Sequence, residues 1–206
     1  MATVSAPLMS LDASGTIAGA IVFSKWKGRN YVRRHAIPAN PQSGLQVSMR
    51  SMMRFLSQSW TLTPVDPTTW LAGGESLRIS PFNYFIRENM IRWRQYRGPS
   101  TEYPAAQDGT PPSAPTTTPT GGVHSIQLSI ADGGTPPDFA WIIHRSPTTG
   151  FIPSLSNVVA VIVPTATPTI YIDHPLVAGS YYYRIRGAEV TGNVGALEAE
   201  VTAAAS

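Results

Sequence analysis

Cysteine is absent from this chain of 206 residues. The sequence therefore offers no disulfide framework, no thiolate nucleophile and no cysteine-based metal site. A chain without cysteine is compatible with synthesis and assembly in a reducing cytoplasm.

Charge and long apolar runs are also scarce. Charged residues make up only 13% of the chain, which favours a protein that contacts neighbours over a solvated enzyme. The apolar run IAGAIVF is far shorter than the roughly 20 residues that span a bilayer, and the first residues lack the basic region of a signal peptide. We expect neither an export signal nor a membrane span.

The recurrent motifs of enzymes are missing as well. The segment GGESLRIS lacks the Gly-x-Ser-x-Gly pattern of a nucleophile elbow, and no phosphate-binding glycine motif occurs. No histidine has a metal-ligand partner at suitable spacing, and the acids before residue 98 are too dispersed for an acid–base pair. The histidines are His35, His124, His144 and His174, and these acids are Asp12, Asp66, Glu75 and Glu88. We predict a non-enzymatic protein without cofactor or metal.

The charge that is present is unevenly distributed. Residues 1–97 carry 12 Lys and Arg against 4 Asp and Glu, a net +8, whereas residues 98–206 carry 3 against 8, a net −5. Between these halves lies GPSTEYPAAQDGTPPSAPTTTPTGG, whose Pro, Thr, Ser and Gly content is typical of an extended linker. We therefore predict an arm over residues 1–18, an α+β domain over 19–97, a linker over 98–121 and an all-β domain over 122–206. The arm is small and polar, which suits either a segment that orders against a neighbour or a frayed terminus.

The first domain begins with a predicted β-hairpin. GTIAGAIVFSKW and NYVRRHAIP are β-rich runs around KGRN, where Gly28 and Asn30 favour a tight turn. Alternation places Ile21, Phe23 and Lys25 on one face, with Val22, Ser24 and Trp26 on the other.

Three helices are predicted after the hairpin. The first covers about 44–60, with an apolar stripe opposite Gln46, Arg50 and Arg54. In DPTTWLAGG, Asp66 caps a short second helix that Gly73 and Gly74 end. In the third, Ser80 is the cap, and Arg87, Arg94 and Arg97 face outward. The stripe of the first helix is Leu45, Met49, Met52, Met53, Leu56 and Trp60, and the core side of the third is Phe82, Phe85, Ile86 and Trp93.

The second domain reads as short strands separated by turns. The strand candidates VHSIQLSI, FAWIIHR, NVVAVIV, TIYID, YYYRIRGAEV and LEAEVTAA have the spacing of an antiparallel sandwich. Residues 112–206 resemble a fibronectin type III-like module of bacterial or phage origin, through PSAPT, IIHRSPTTGF and TIYIDHPLVAGSYYYRIRGAEVTGN. The resemblance implies an immunoglobulin-like fold in which Tyr181, Tyr183 and Ile185 face inward. It also implies that Tyr181, or alternatively Tyr182, is the corner tyrosine of this fold, whose hydroxyl forms a hydrogen bond with the backbone near Leu176. The tryptophan that is usual on the second strand is absent here, and Trp141 on the next strand would take its place in the core.

Residues 19–97 resemble a group of phage and prophage proteins. The shared elements are KWKGRNYVR, PANPQSGLQVSMRSMMRF, TTWLAGG and NYFIREN, although Gly44 replaces a frequent proline and Tyr84 is inserted before Phe85. The resemblance implies a structural protein of a virion.

The stretch from Lys25 to Trp60 concentrates basic and aromatic side chains, which suit subunit interfaces. We predict a structural protein of a bacteriophage or phage-like particle, on the capsid or tail, that docks through its first domain and displays the sandwich outward. Its partners would be its own copies or other virion proteins, in a virion assembled in the host cytoplasm, and no membrane is expected.

The alternatives are an adhesin module that binds a host-surface glycan or receptor, and a particle protein associated with nucleic acid, which we expect only as a secondary role. The candidate interface residues are Lys25, Trp26, Lys27, Arg29, Tyr31, Arg33, Arg34, Arg50, Arg54, Arg87, Arg94 and Arg97.

Overall fold

The structure is a computed structural model that describes residues 2–3, 14–37, 40, 42–62 and 65–206. It combines helices with three antiparallel sheets. The chain divides into two compact units, Met1–Pro41 and Gln42–Ser206.

The first unit contains the strands β1 (Ala2–Thr3), β2 (Gly15–Ile17), β3 (Ile21–Trp26) and β4 (Arg29–Arg34). They form one sheet in the order β1–β4–β3–β2. The predicted hairpin is confirmed, with a tight connection through Lys27 and Gly28, whose φ angles are 49° and 78°. Positive φ at both positions defines a type I′ turn, whose twist matches that of the flanking strands.

The predicted N-terminal arm supplies both edge strands of this sheet. Strand β1 pairs with β4, and β2 pairs with β3. The arm was expected either to order against a neighbour or to fray, whereas these two segments pair with the hairpin of the same chain. Residues 4–13, which include Asp12, lie outside the described residues.

The second unit begins with three helices, and their predicted starting points are confirmed. They are α1 (Gly44–Leu62), α2 (Pro67–Leu77) and α3 (Pro81–Arg94). The carboxylate of Asp66 accepts a hydrogen bond from Thr68 N at 2.9 Å, and Ser80 Oγ accepts one from Asn83 N at 3.2 Å. Side-chain caps of this kind satisfy donors that the first turn of a helix leaves free.

The predicted end of α2 at Gly73 and Gly74 is wrong, because the helix continues to Leu77. A Cβ atom on Gly73 would lie 2.0 Å from the ring of Tyr84, and one on Gly74 would lie 2.8 Å from Ile79 O. These glycines therefore allow close packing of α2 against α3 and the chain between them.

The predicted apolar stripe of α1 is only partly correct. Met52 and Leu56 are buried, but Leu45 and Met53 are 55% and 43% exposed. Phe55, which the stripe omitted, is buried. Helix α1 packs against both α3 and a β-sheet formed later in the chain. Its buried side is therefore wider than the predicted stripe and includes Phe55.

The rest of the chain forms two antiparallel sheets that face each other. Their inner sides share one apolar core, which contains Trp141, Tyr183 and Ile185 as predicted. The strands are β5 (Thr116–Gly122), β6 (Ser125–Ala131), β7 (Ala140–Ser146), β8 (Val158–Ile162), β9 (Thr169–Asp173), β10 (Gly179–Ala188) and β11 (Val201–Ala205). A four-stranded sheet has the order β11–β10–β7–β8, and a three-stranded sheet has the order β5–β6–β9. The Tyr181 hydroxyl donates to Val177 O at 3.0 Å, which favours Tyr181 over Tyr182 as the corner tyrosine.

Except for Gly122, strand β5 lies inside the predicted linker, so the predicted end of the linker at residue 121 is wrong, whereas the resemblance over residues 112–206 includes this strand. The segment pairs with β6 along its full length despite Pro119, which an edge strand tolerates. The buried carboxylate of Glu198 also accepts hydrogen bonds from Thr117 N and, at 2.7 Å, from Thr117 Oγ1.

The predicted separation of helices and sandwich also differs from the structure. The second core joins Phe55, Phe85 and Trp93 of the helices to Ile142 and Val161 on the outer side of the four-stranded sheet. The helical layer and the sandwich therefore form one body, and the division of the chain falls near residue 41 instead of at the Pro/Thr-rich segment.

Residues 98–101 are held in place by polar contacts, not extended as a linker. The side-chain amide of Asn89 accepts from Ser100 N at 2.7 Å and donates to Ser100 O at 3.0 Å. Trp70 Nε1 donates to Thr101 O at 3.0 Å, and Thr101 N donates to Val190 O at 2.8 Å. Composition alone does not reveal these partners, because they come from α2, α3 and the segment after β10.

Candidate assembly interface

One face of the first unit's sheet combines arginine with aromatic side chains. Cross-strand partners share a face, and the register pairs Trp26 with Arg29, Ser24 with Tyr31 and Val22 with Arg33. We call the surface formed by Trp26, Arg29, Tyr31 and Arg33 the basic face. The turn residue Lys27 places its Nζ 4.9 Å from the Trp26 ring centroid, within the range of a cation–π contact.

The opposite face of the sheet is more apolar. It carries Ile17, Ile21, Phe23 and Val32, which we call the apolar face. The other two predicted basic residues of the hairpin, Lys25 and Arg34, lie on this side. The sequence-based assignment of Lys25 and Trp26 to opposite faces is thus correct, and four of the seven hairpin candidates share one face.

Neither face is buried. Among residues 14–37 and 40, the part of the first unit whose exposure the structure describes, every side chain is exposed or half-buried. Trp26 is 67% exposed, and Ile17 and Ile21 are 43% and 42% exposed. The structure thus presents large apolar side chains beside arginines, and none of the described side chains of this sheet is buried.

Arg50 and Arg54 occupy a different place, in the second unit. Both are exposed on α1 and line a groove of about 690 Å³ between that helix and the strands β8 and β9. Ser51 of the same helix accepts a hydrogen bond from Val161 N at 2.7 Å, which covers part of the β8 edge. His174 also lines this groove.

The three remaining candidates lie on or just after α3. Arg87 pairs with its neighbour Glu88, and Arg94 is exposed. Arg97 lines a separate cavity near the end of the helix. The structure therefore distributes the twelve predicted interface residues over several surfaces, of which the basic face is the most concentrated.

Sequence reasoning missed a polar cluster between α3 and the outer side of the four-stranded sheet. Tyr96 OH lies 2.7 Å from His144 Nε2, and His144 Nδ1 lies 3.0 Å from Arg184 O. Because a carbonyl can only accept, Nδ1 carries the proton and the tyrosine donates to Nε2. The Arg186 guanidinium stacks over Tyr96 at 4.3 Å from the ring centroid.

Burial governs the protonation of this cluster. It lowers the pKa of His144 to about 4, with a further contribution from the positive charge of Arg186. It also raises the pKa of Tyr96. The histidine is therefore neutral near pH 7. A signal for this cluster was present in YYYRIRGAEV. Arg184 and Arg186 alternate there with the inward-facing Tyr183 and Ile185, which indicates that both arginines lie on the outer side of the sheet.

Two further observations concern metals and membranes. Within the described ranges, no group of three or more His, Asp or Glu side chains is arranged to hold a metal ion. In the same part of the chain, no helix combines the length and apolar character needed to cross a bilayer.

Comparisons with known proteins find similarity only at the level of structure. No family model and no curated protein sequence matches the chain. A β-1,2-glucanase from Parabacteroides distasonis aligns with 48% of this chain at 18% identity and a TM-score of 0.39, but only 13% of the glucanase is covered. An Fn3-like protein from Clostridium thermocellum aligns with 47% of this chain at 20% identity and a TM-score of 0.36, over 96% of its own length. The PKD domain of an M14-like peptidase from Thermoplasmatales archaeon SCGC AB-540-F20 aligns with 48% at 15% identity and a TM-score of 0.30, over 98% of its length.

These TM-scores are low, so the assignment of the sandwich rests on the chain's own strands. Two antiparallel sheets of three and four strands enclose a single apolar core. This arrangement is an immunoglobulin-like β-sandwich.

Proposed function

We propose that this chain is a non-enzymatic structural protein of a bacteriophage or phage-like particle and that it assembles through the sheet of its first unit. One observation carries the proposal: no side chain among residues 14–37 and 40 is buried, although they include Ile, Phe, Tyr and Trp. A sheet becomes stable when one of its faces packs against an apolar surface. A partner surface would supply that contact.

The size of the unit supports the same interpretation. Chains of about 40 residues usually need a disulfide, a metal or oligomerisation to fold stably, and this chain has no cysteine. Burying one Ile or Phe side chain contributes roughly 1.5–3 kcal/mol. Covering the apolar face alone would therefore add this contribution for each apolar side chain that becomes buried.

The basic face indicates what such a partner looks like. Tryptophan, tyrosine and arginine are the residues most enriched where interfaces derive their binding energy. Arg29 and Arg33 would pair with carboxylates, and Trp26 would enter an apolar pocket. We infer that the partners are copies of this chain or other proteins of the particle, and the resemblance of residues 19–97 to phage proteins supplies the biological setting.

The second unit would then be the displayed part. We assign its sandwich to the fibronectin type III-like class, a choice supported by the sequence motifs of residues 112–206 and by the hydrogen bond from Tyr181 to Val177 O. The binding of a host-surface glycan or receptor remains a prediction for this unit. Flow-cytometric binding of the labelled protein to host cells would test it.

Light scattering at low and high salt tests the assembly proposal. We expect the full chain to form defined oligomers, and Trp26→Ser to reduce their mass because an exposed aromatic anchor is lost. The matched control is Ile152→Ser, which replaces an apolar side chain of the sandwich that is 86% exposed. A monomeric full chain at every salt concentration would contradict self-assembly and leave docking on a different particle protein to be tested by pull-down. An equal loss of mass in the control would contradict assembly through the sheet of the first unit.

Nucleic-acid binding is the second candidate, because Trp26, Arg29, Tyr31 and Arg33 share one face. Aromatic rings can stack bases while arginines contact phosphates. Fluorescence anisotropy with single-stranded DNA should then show affinity that falls steeply with salt and is lost in Arg29→Ala/Arg33→Ala but kept in Arg94→Ala. Binding that is unchanged in the double variant would exclude the basic face as the contact.

A further inference from the structure

A small polar cavity of about 360 Å³ lies beside the end of α3 in the second unit. Two of its lining residues, Arg97 and Arg186, carry a positive charge, and the side chains of Gln107 and Asn193 add amide groups. Among the described residues that line it, none is acidic. The lining residues are Tyr96, Arg97, Gly98, Gln107, Arg186, Gly192, Asn193 and Val194.

The guanidinium of Arg186 has an unused hydrogen-bonding edge. Its Nε and Nη2 atoms are buried and have no hydrogen-bond partner among the described residues. These two nitrogens point the same way along one side of the planar group. They form the pair of parallel donors that binds a carboxylate or phosphate in a bidentate manner.

The same fold pairs another arginine of the sheet. Arg145 Nη1 contacts both carboxylate oxygens of Asp173, at 2.8 and 2.7 Å. Arg186 stacks on Tyr96, and among the described residues no carboxylate forms an ion pair with it. Arg186 is half-buried. A charge that is partly removed from water without a counter-ion is unfavourable, and an anion in the cavity would remove that cost.

A third arginine, Arg92, lies beside the cavity and strengthens its positive character. Arg92 donates from Nε to Gly98 O at 2.9 Å and from Nη2 to Gly192 O at 3.2 Å, which fixes its position behind two residues that line the cavity. Arg97 is close enough to Arg92 to lower its pKa, in addition to the larger effect of burial. Arg97 is itself exposed at the rim.

We propose that this cavity binds a small oxyanion, either a carboxylate or an inorganic phosphate or sulfate, through the Nε and Nη2 edge of Arg186, with Arg97 as the second cationic contact. The exposed side chains of Arg97 and Gln107 would change rotamer to admit the ion. The site lies in the body formed by helices and sandwich, so it is independent of assembly through the first unit.

Isothermal titration and thermal unfolding of the full chain test the proposal with phosphate, sulfate and acetate as probes, against chloride at equal ionic strength. We expect at least one oxyanion to raise the midpoint of unfolding by about 3 °C or more at saturating concentration. Arg186→Met removes the guanidinium but keeps a long apolar side chain at this position, and it should weaken binding about tenfold or more. Arg94→Met, which removes an exposed arginine of α3 that does not line the cavity, should leave binding unchanged.

The probes separate the two chemical sources, because acetate alone would indicate a carboxylate ligand and phosphate or sulfate alone an inorganic one. If Arg186→Met does not fold, Arg97→Met decides the matter, since it removes a rim residue without a buried contact. Absence of binding by all three oxyanions in the titration would overturn the proposal. Unchanged affinity in Arg186→Met, or in Arg97→Met where that variant decides, would do the same.

Discussion

The hydroxyl of Tyr96 lies 2.7 Å from Nε2 of His144 and so joins the segment after α3 to strand β7. The imidazole is completely buried and its Nδ1 is held by Arg184 O. This contact connects the helical layer to the outer side of the four-stranded sheet. It is part of the reason that the second unit behaves as one body.

The first prediction follows from the lowered pKa of His144, which burial brings from its ordinary value of 6.5 to about 4. The unfolded chain binds a proton at this residue below about pH 6.5, whereas the folded chain binds it only near pH 4. The contribution of the neutral imidazole to stability is therefore complete above pH 6.5 and is lost as the pH falls toward 4, by an amount on the order of 3 kcal/mol. Urea unfolding between pH 7 and 4 should show a shallower decline for His144→Gln than for the native chain. Parallel declines would mean that His144 is not protonated on unfolding in this range.

The second prediction concerns Asn89, whose amide holds residue 100. Replacement by alanine leaves the N–H and C=O of Ser100 without these partners, and we expect a loss of about 3 kcal/mol in the free energy of unfolding. The control is Asn83→Ala on the exposed side of the same helix, which should cost less than about 1 kcal/mol. Equal effects in the two variants, measured by urea denaturation, would show that the contact does not stabilise the segment.

The third prediction concerns the ion pair between Arg145 and Asp173, which links the two sheets. Arg145→Met leaves the buried carboxylate with the Tyr183 hydroxyl, which donates at 2.9 Å, as its one remaining side-chain donor among the described residues. The expected cost is therefore about 3 kcal/mol. In Arg145→Met/Asp173→Asn no charge is left unpaired. The double variant should therefore be more stable than the sum of the two single changes implies, by about 1 kcal/mol or more. Additive effects in chemical denaturation would indicate that the two side chains do not interact.

The fourth prediction tests where the chain divides. A fragment of residues 42–206 retains both apolar cores and should unfold in one cooperative transition. A fragment of residues 42–97 lacks Phe139, Ile142 and Val161, against which the helices pack, and should show no cooperative transition by circular dichroism. Cooperative folding of the short fragment would show that the helices form a domain of their own and that the chain divides at the Pro/Thr-rich segment.

Local chemistry explains why much of the secondary structure could be predicted. Asp66 and Ser80 cap helices because the donors they satisfy lie within three residues. The Lys27–Gly28 turn and the alternation in β3 and β4 depend on neighbours only a few positions away. Elsewhere, local rules were overridden: Gly73 and Gly74 continue a helix because space beside Tyr84 matters more than helix propensity, and Thr116–Gly122 forms a strand because β6 and Glu198 supply its partners.

The sequence by itself determined most elements of this protein and their order: a basic hairpin, three helices of which the second and third are capped, and most strands of a sandwich. Only the tertiary structure decided that helices and sandwich share a core, that Trp26, Arg29, Tyr31 and Arg33 share one face, and that Arg186 lines a cavity whose described lining residues include no carboxylate. The difference has a physical cause. Caps, turns and alternation arise from interactions between near neighbours in the chain, whereas shared cores and unpaired charges depend on residues far apart in sequence that folding brings together.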